Sequence, residues 1–135
     1  MLTKDDMLVA LHDAITEDQE FELADEIVDA MEAYPQPFDL VDPVLDFISK
    51  HPEVDFGAPG ELVHFVERFY HQGYEDLLLE SVLKSPTVHN IWMLHRCYNA
   101  NDPDLVRQIQ ALVGELKQDK TLDSQVRSMI EDLNW

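Results

Sequence analysis

Apolar residues recur every three to four positions along this chain, the spacing that lines one face of a helix, in a succession of eight stretches. The first opens at Thr3, with Asp6 completing a capping-box pair and Met7, Leu8, Leu11, Ala14 and Ile15 forming a stripe. A second spans Asp18 to Tyr34, with Leu23, Ala24, Ile27, Ala30, Met31 and Tyr34 inward, and Pro35 and Pro37 end it. The third covers Asp39–Lys50 and turns Leu40, Val41, Val44, Leu45 and Ile48 to the core. Pro43 suggests that its regular part starts from a cap at Asp42. His51–Gly60, with two prolines and two glycines, reads as a loop. A fourth helix starts at Pro59 or Gly60 and carries Leu62, Val63, Phe65, Val66, Phe69 and Tyr70 toward Gly73, and Tyr74–Lys84 gives a Leu-rich fifth.

The sixth stretch, Ser85–Asn99, is apolar over most of its circumference. Ser85 suits the cap and Pro86 the first helical position. At about 100° per residue, Val88, Ile91, Trp92, Leu94, Cys97 and Tyr98 leave only a narrow polar sector around His89 and Arg96, so this helix is expected in the interior. His95 and Asn99 fall inside the apolar arc one turn apart. Buried there, they would have to hydrogen-bond, either as a structural tie to a neighbouring loop or as a ligand-binding or catalytic site. No nucleophile or carboxylate lies near them in sequence, which favours the structural tie. Asp102-Pro103 starts a seventh helix with Leu105, Val106, Ile109, Leu112, Val113 and Leu116 on one face. Thr121 or Asp123 starts an eighth with Leu122, Val126, Met129, Ile130 and Leu133.

No segment alternates apolar and polar residues over a useful length, so the expected fold is all-α: one domain over residues 1–135, its eight helices paired as stacked hairpins in a short HEAT-like α-solenoid. An irregular closed helical bundle uses the same helices in another stacking order. One cysteine, Cys97, permits no internal disulfide. The opening Met-Leu-Thr-Lys-Asp-Asp shows no secretory pattern, and no apolar run is long enough to span a bilayer, so the expected location is cytoplasmic.

Charge changes the picture most. The chain holds 28 acidic and 9 basic residues, net −19, and residues 1–55 alone hold 16 acids against 2 bases. Nucleic acid, whose phosphates would be repelled, is excluded as a natural partner. On the second and third predicted helices, Asp18, Glu22, Asp25, Asp29, Glu32, Asp39, Asp42 and Asp46 project away from the apolar faces as an acidic ridge. Like charges four residues apart on a helix repel by about 0.2–0.5 kcal/mol per pair, and no lysine or arginine between Glu17 and Tyr34 offsets this. The ridge is either a solvated face or a surface complementary to a basic partner.

Other chemistry is thinly represented. His64, Glu67 and His71 stand at i, i+3 and i+7, a spacing that could hold zinc, although on a polar face where such residues are ordinary. His12, His51 and His89 stand alone and read as surface residues. Phosphate loops, Cys-x-x-Cys pairs, nucleophile elbows and His-Glu-x-x-His motifs are missing, so no catalytic residues, metal or cofactor are assigned.

Pro86, Thr87, Trp92, Met93, Leu94, Arg96 and Asn99, together with the preceding Gly57–Tyr70, form a pattern that resembles small acidic immunity proteins of bacterial polymorphic-toxin and contact-dependent growth inhibition systems. The resemblance covers Gly57–Asn99. It implies a helical, non-enzymatic inhibitor whose partner is a cognate toxin domain. Combined with the ridge, it gives the leading expectation: an immunity protein that occludes the basic active-site surface of a toxin, a nuclease above all. A helical-repeat adaptor that binds a basic partner without any toxin is the alternative, and a metal-dependent enzyme built on His64, Glu67 and His71 is the weakest.

Overall fold

The computed structural model describes residues 2–100 and 102–135. Eight α-helices form among them: α1 (Lys4–Asp13), α2 (Asp25–Glu32), α3 (Val41–Ser49), α4 (Glu61–Glu67), α5 (Tyr74–Lys84), α6 (Val88–Tyr98), α7 (Pro103–Gln118) and α8 (Ser124–Asp132), with a 3-10 helix at Pro37–Leu40 leading into α3. The described residues form no β-strand, only two isolated bridges, Ile15 with Phe21 and Glu20 with Asp55. The architecture is all-α.

Local chemistry explains most of the boundaries. Thr3 and Asp6 form a capping box, each side chain accepting from the other's backbone amide. Asp102 caps α7 by accepting from Asp104 and Leu105, ahead of Pro103, and Asp123 does the same for α8 through Gln125 and Val126. At α6 the expected Ser85 cap gives way to Thr87, which exchanges capping bonds with Asn90, while Ser85 supplies a carbonyl to the Asn90 side chain at 2.8 Å. Pro86 therefore precedes the helix instead of opening it, and the extended Thr87 is the cap. Pro43 sits inside the first turn of α3, where no intrahelical donor is needed, but Asp42 is not the cap. The 3-10 turn feeds directly into α3 through Leu40.

The largest departure is the second expected helix, of which only Asp25–Glu32 is helical. Before it the chain folds back. Thr16 exchanges backbone bonds with Glu20 and Gln19, its hydroxyl accepts from the Glu20 amide at 3.1 Å, and Gln19 adopts φ 62. Glu20-Phe21-Glu22-Leu23 is an alternating segment: Leu23 is buried, Phe21 meets the rings of Phe47 and Phe56 at 6.2 and 5.1 Å, and both glutamates face water.

The chain gathers into two compact units divided at Tyr74/Glu75. In the N-terminal unit α1 packs against α2 and α3, α3 packs against α4, and the 3-10 helix touches α2 and α3. Met7, Leu11, Met31, Leu40, Val41, Val44, Ile48, Leu62 and Val66 are essentially inaccessible. The 51–60 loop adds two anchors, Val54 and Phe56, to this core.

In the C-terminal unit α6, α7 and α8 each pack against the other two. Ile91, Met93, Leu94 and Cys97 of α6 are buried with Ile109, Leu112 and Val113 of α7 and Val126 and Ile130 of α8. The interior position expected for α6 is thus held by one broad face, while Trp92 is half-exposed with the Arg96 guanidinium 5.3 Å from its ring centre. In the turn between α7 and α8, Asp119 accepts from the hydroxyl and amide of Thr121, which hold its carboxyl below the usual carboxylate range.

His95 and Asn99 are not a buried pair: His95 is half-buried and Asn99 exposed, because α6 turns that edge toward the chain end rather than into the core. They do touch, Asn99 Nδ2 lying 3.5 Å from His95 Nδ1. His95 Nε2 lies 2.8 Å from the Asn134 carbonyl, which can only accept, so Nε2 carries the proton and Nδ1 is left to accept from Asn99. Trp135 packs edge-on to His95 at 4.9 Å and lies 5.6 Å from Tyr98. The pair is therefore a clasp between α6 and the last residues. His95→Ala is expected to lower stability by about 1–2 kcal/mol, from the lost hydrogen bonds to Asn134 and Asn99 and the lost ring contacts, measured by urea denaturation followed by far-UV circular dichroism. An unchanged midpoint would show that the clasp contributes nothing.

Candidate functional site

Of the eight acidic positions singled out by the sequence, three elements of the N-terminal unit display six and a loop displays the other two. On α2, Asp25, Asp29 and Glu32 follow one another at i, i+4 and i+7, and all are exposed because Met31 turns the opposite side inward. Asp39 projects from the 3-10 helix. On α3, Asp42 and Asp46 face water while Val44, Leu45, Phe47 and Ile48 are buried. Asp18 and Glu22 are exposed too, but the fold-back at Thr16–Glu20 takes them off any helix, so the expected single ridge from Asp18 to Glu32 is interrupted. Asp18 and Glu22 accordingly do not form the helical i,i+4 pair that the sequence suggested.

Few cations balance this surface. The chain has no lysine or arginine between Lys4 and Lys50. Lys50 Nζ pairs with Asp46 at 2.8 Å, and Arg68 Nη1 approaches Glu32 at 3.4 Å. Both pairs are largely solvated, so each contributes little to stability and leaves the local field strongly negative. Up to Tyr74 the sequence holds 18 acids against 3 bases, and from Glu75 onward 10 against 6. A net charge of −15 on the first unit and −4 on the second makes the asymmetry a property of the units themselves.

No family model, curated protein or solved structure matches this chain.

The geometry also revises the histidines. Helix α4 stops at Glu67, and His71 lies beyond it in a turn with φ 64, so His64, Glu67 and His71 do not share a helical face. Glu67 is drawn inward instead, accepting from the Tyr70 hydroxyl at 2.8 Å, with His64 Nδ1 at 3.9 Å. Among the described residues no group of three His, Cys, Asp or Glu side chains is placed to hold a metal ion. His89 is half-buried rather than exposed. His12 and His51 do not stand alone: α1 and α3 bring their rings edge to face at 5.6 Å, and His51 Nδ1 donates to the Phe47 carbonyl at 2.8 Å.

Leu8, expected inside with Met7 and Leu11, is 36% exposed and its neighbour Val9 is 60% exposed, because α1 meets α2 and α3 through the narrower side of Met7, Leu11 and Ala14. The sequence did carry the signal, since Leu8-Val9 extends the apolar arc of a short helix beyond what one packing face can cover. No helix among the described residues is long and apolar enough to cross a membrane.

Proposed function

We propose that this chain is a non-enzymatic binding protein whose acidic N-terminal unit holds a basic protein, and most concretely that it is an immunity protein neutralising a cationic toxin domain in the cytoplasm. The observation that carries the reading is the exposure of all eight ridge carboxylates on a unit of net charge −15, in which two of the three basic side chains already sit against acids. Such a surface attracts cationic partners over distances near the Debye length, about 10 Å at 0.1 M salt, and repels nucleic acid. A nuclease exposes a basic groove because its substrate is a polyanion. An acidic protein seated over that groove would block substrate entry without touching the chemistry.

The experiment is capture of partners from the native host on the immobilised protein, followed by assay of the partner with and without the free chain. A basic partner whose nucleic-acid cleavage stops when the chain is added is the expected result. A basic partner with no toxic activity would transfer the surface to the helical-adaptor reading. Recovery of acidic or neutral partners alone would overturn both.

A further inference from the structure

A groove of about 380 Å³ opens between α1 and α3, lined by Leu8, Val9, His12, Phe47, His51 and the stem of Lys50. Its walls are mainly carbon, and Leu8 and Val9 are two of the three large apolar side chains most exposed in the described chain. Exposed apolar side chains scattered singly need no explanation, but these two are adjacent and share a groove with a phenyl ring and two imidazoles. Asp13 and Asp46 stand at its rim, Asp5 occupies the same side of α1 one turn before Leu8 and Val9, and Asp42 lies one turn before Asp46 on α3. The rim's one lysine, Lys50, is paired with Asp46.

We infer that this groove receives an amphipathic, cationic helix of the basic partner, with two or three aliphatic side chains in the groove and lysines or arginines against the flanking carboxylates. The inference rests on the proposed function and adds to it the anchor that the ridge lacks. Charge complementarity selects the occupant: an acidic or uncharged apolar segment would bring no cations to the rim carboxylates Asp13 and Asp46, or to Asp5 and Asp42 one turn away, on a unit of net charge −15. A trough between two helices, apolar along its floor and polar along its edges, is the shape into which an amphipathic helix lays its apolar face. Long-range charge then governs encounter, and the groove governs how long the complex lasts.

The test uses three synthetic helical peptides with the whole isotopically labelled protein: one with a leucine stripe and a lysine face, one with lysines at equal net charge but alanines in the stripe, and one with the leucine stripe and a glutamate face. The leucine–lysine peptide should bind about tenfold or more tighter than the alanine–lysine peptide, the amide shifts centring on Leu8, Val9, Phe47 and His51. The double variant Leu8→Ser/Val9→Ser replaces side chains that are 36% and 60% exposed and should keep a cooperative thermal transition, lowered by several degrees at most, while losing that tenfold advantage. Equal affinity for both lysine peptides, or shifts away from α1 and α3, would overturn the groove while leaving the acidic surface intact. Failure of both lysine peptides to bind above the glutamate peptide would instead remove the proposed function. A self-associated protein in sedimentation that the double variant renders monomeric would assign the groove to a second copy of this chain and overturn the cationic occupant.

Discussion

Replacing Gly60 by alanine is expected to destabilise the N-terminal unit by at least about 3 kcal/mol, the cost of an unfavourable backbone conformation plus a backbone clash. Gly60 stands at φ 87 and ψ 169, a combination open to glycine almost alone. A Cβ there would lie 1.8 Å from the Phe56 carbonyl oxygen and 2.8 Å from its carbon. Both are backbone atoms, so no rotamer change relieves the overlap. Phe56 cannot retreat cheaply either, because its ring is 5% exposed and held by Phe21 at 5.1 Å and Phe47 at 5.9 Å. The strain would therefore pass into the 51–60 loop and the start of α4. Gly114, inside α7 with nothing within 4 Å of an added Cβ, is the contrasting site, and alanine there should stabilise by about 0.5–1 kcal/mol. Urea denaturation followed by far-UV circular dichroism measures both. A loss below about 1 kcal/mol for Gly60→Ala would show that the loop yields where its packing says it cannot.

What the sequence disclosed and what it hid follow from the range of the forces involved. Caps act within three or four residues, so Thr3 and Asp102 are legible in the sequence, their partners lying in the same turn, while Asp123 is one of two candidates beside Thr121 until the structure selects it. Ser85 and Thr87 are both good caps, and the choice falls on Asn90, whose side chain accepts from the Thr87 amide three residues earlier in a capping box but reaches Ser85 only at its carbonyl. The second helix failed at Asp18–Ala24 for a different reason. Its spacing of apolar residues fits a helix, yet Glu20-Phe21-Glu22-Leu23 also alternates, and the ring contacts of Phe21 with Phe47 and Phe56 favour the extended form. Those partners are more than twenty residues away in sequence, beyond any local pattern.

The acidic surface was legible as composition and as exposure, because a carboxylate without a partner stays in water whichever element carries it. Its division among α2, the 3-10 helix, α3 and the fold-back was not. Of the groove only the surplus apolar surface of Leu8-Val9 was legible: Leu8 reads as part of the inward stripe, Val9 falls on the far side of α1 from Met7 and Leu11, and only the packing of α1 against α3 sets the two at the edge of a trough. His95 and Asn99 illustrate the same limit. Their mutual contact follows from spacing, whereas their exposure depends on where the last residues of the chain lie.

The second large effect concerns the ridge and separates binding from folding. Asp25 is a poor place to reverse charge, because it opens α2, where a lysine would oppose the helix dipole by about 0.3–1 kcal/mol. Asp29 lies in the last turn of α2, where a cation suits the dipole and relieves repulsion with Asp25. Asp18 lies in the fold-back, exposed and outside any helix. The double variant Asp18→Lys/Asp29→Lys should therefore fold with a stability within about 0.5 kcal/mol of the unaltered protein. It should nevertheless bind a basic partner more slowly, since two reversals remove four units of negative charge from the surface that steers the encounter.

The decisive measurement is the stopped-flow association rate of the captured basic partner with the unaltered protein and with Asp18→Lys/Asp29→Lys, at low and at high salt. The double variant is predicted to associate about tenfold more slowly at low ionic strength, with the two rates converging near 0.5 M salt, where the Debye length falls to about 4 Å. Equal association rates at low salt would contradict the claim that the acidic N-terminal unit is the surface by which this protein finds its partner.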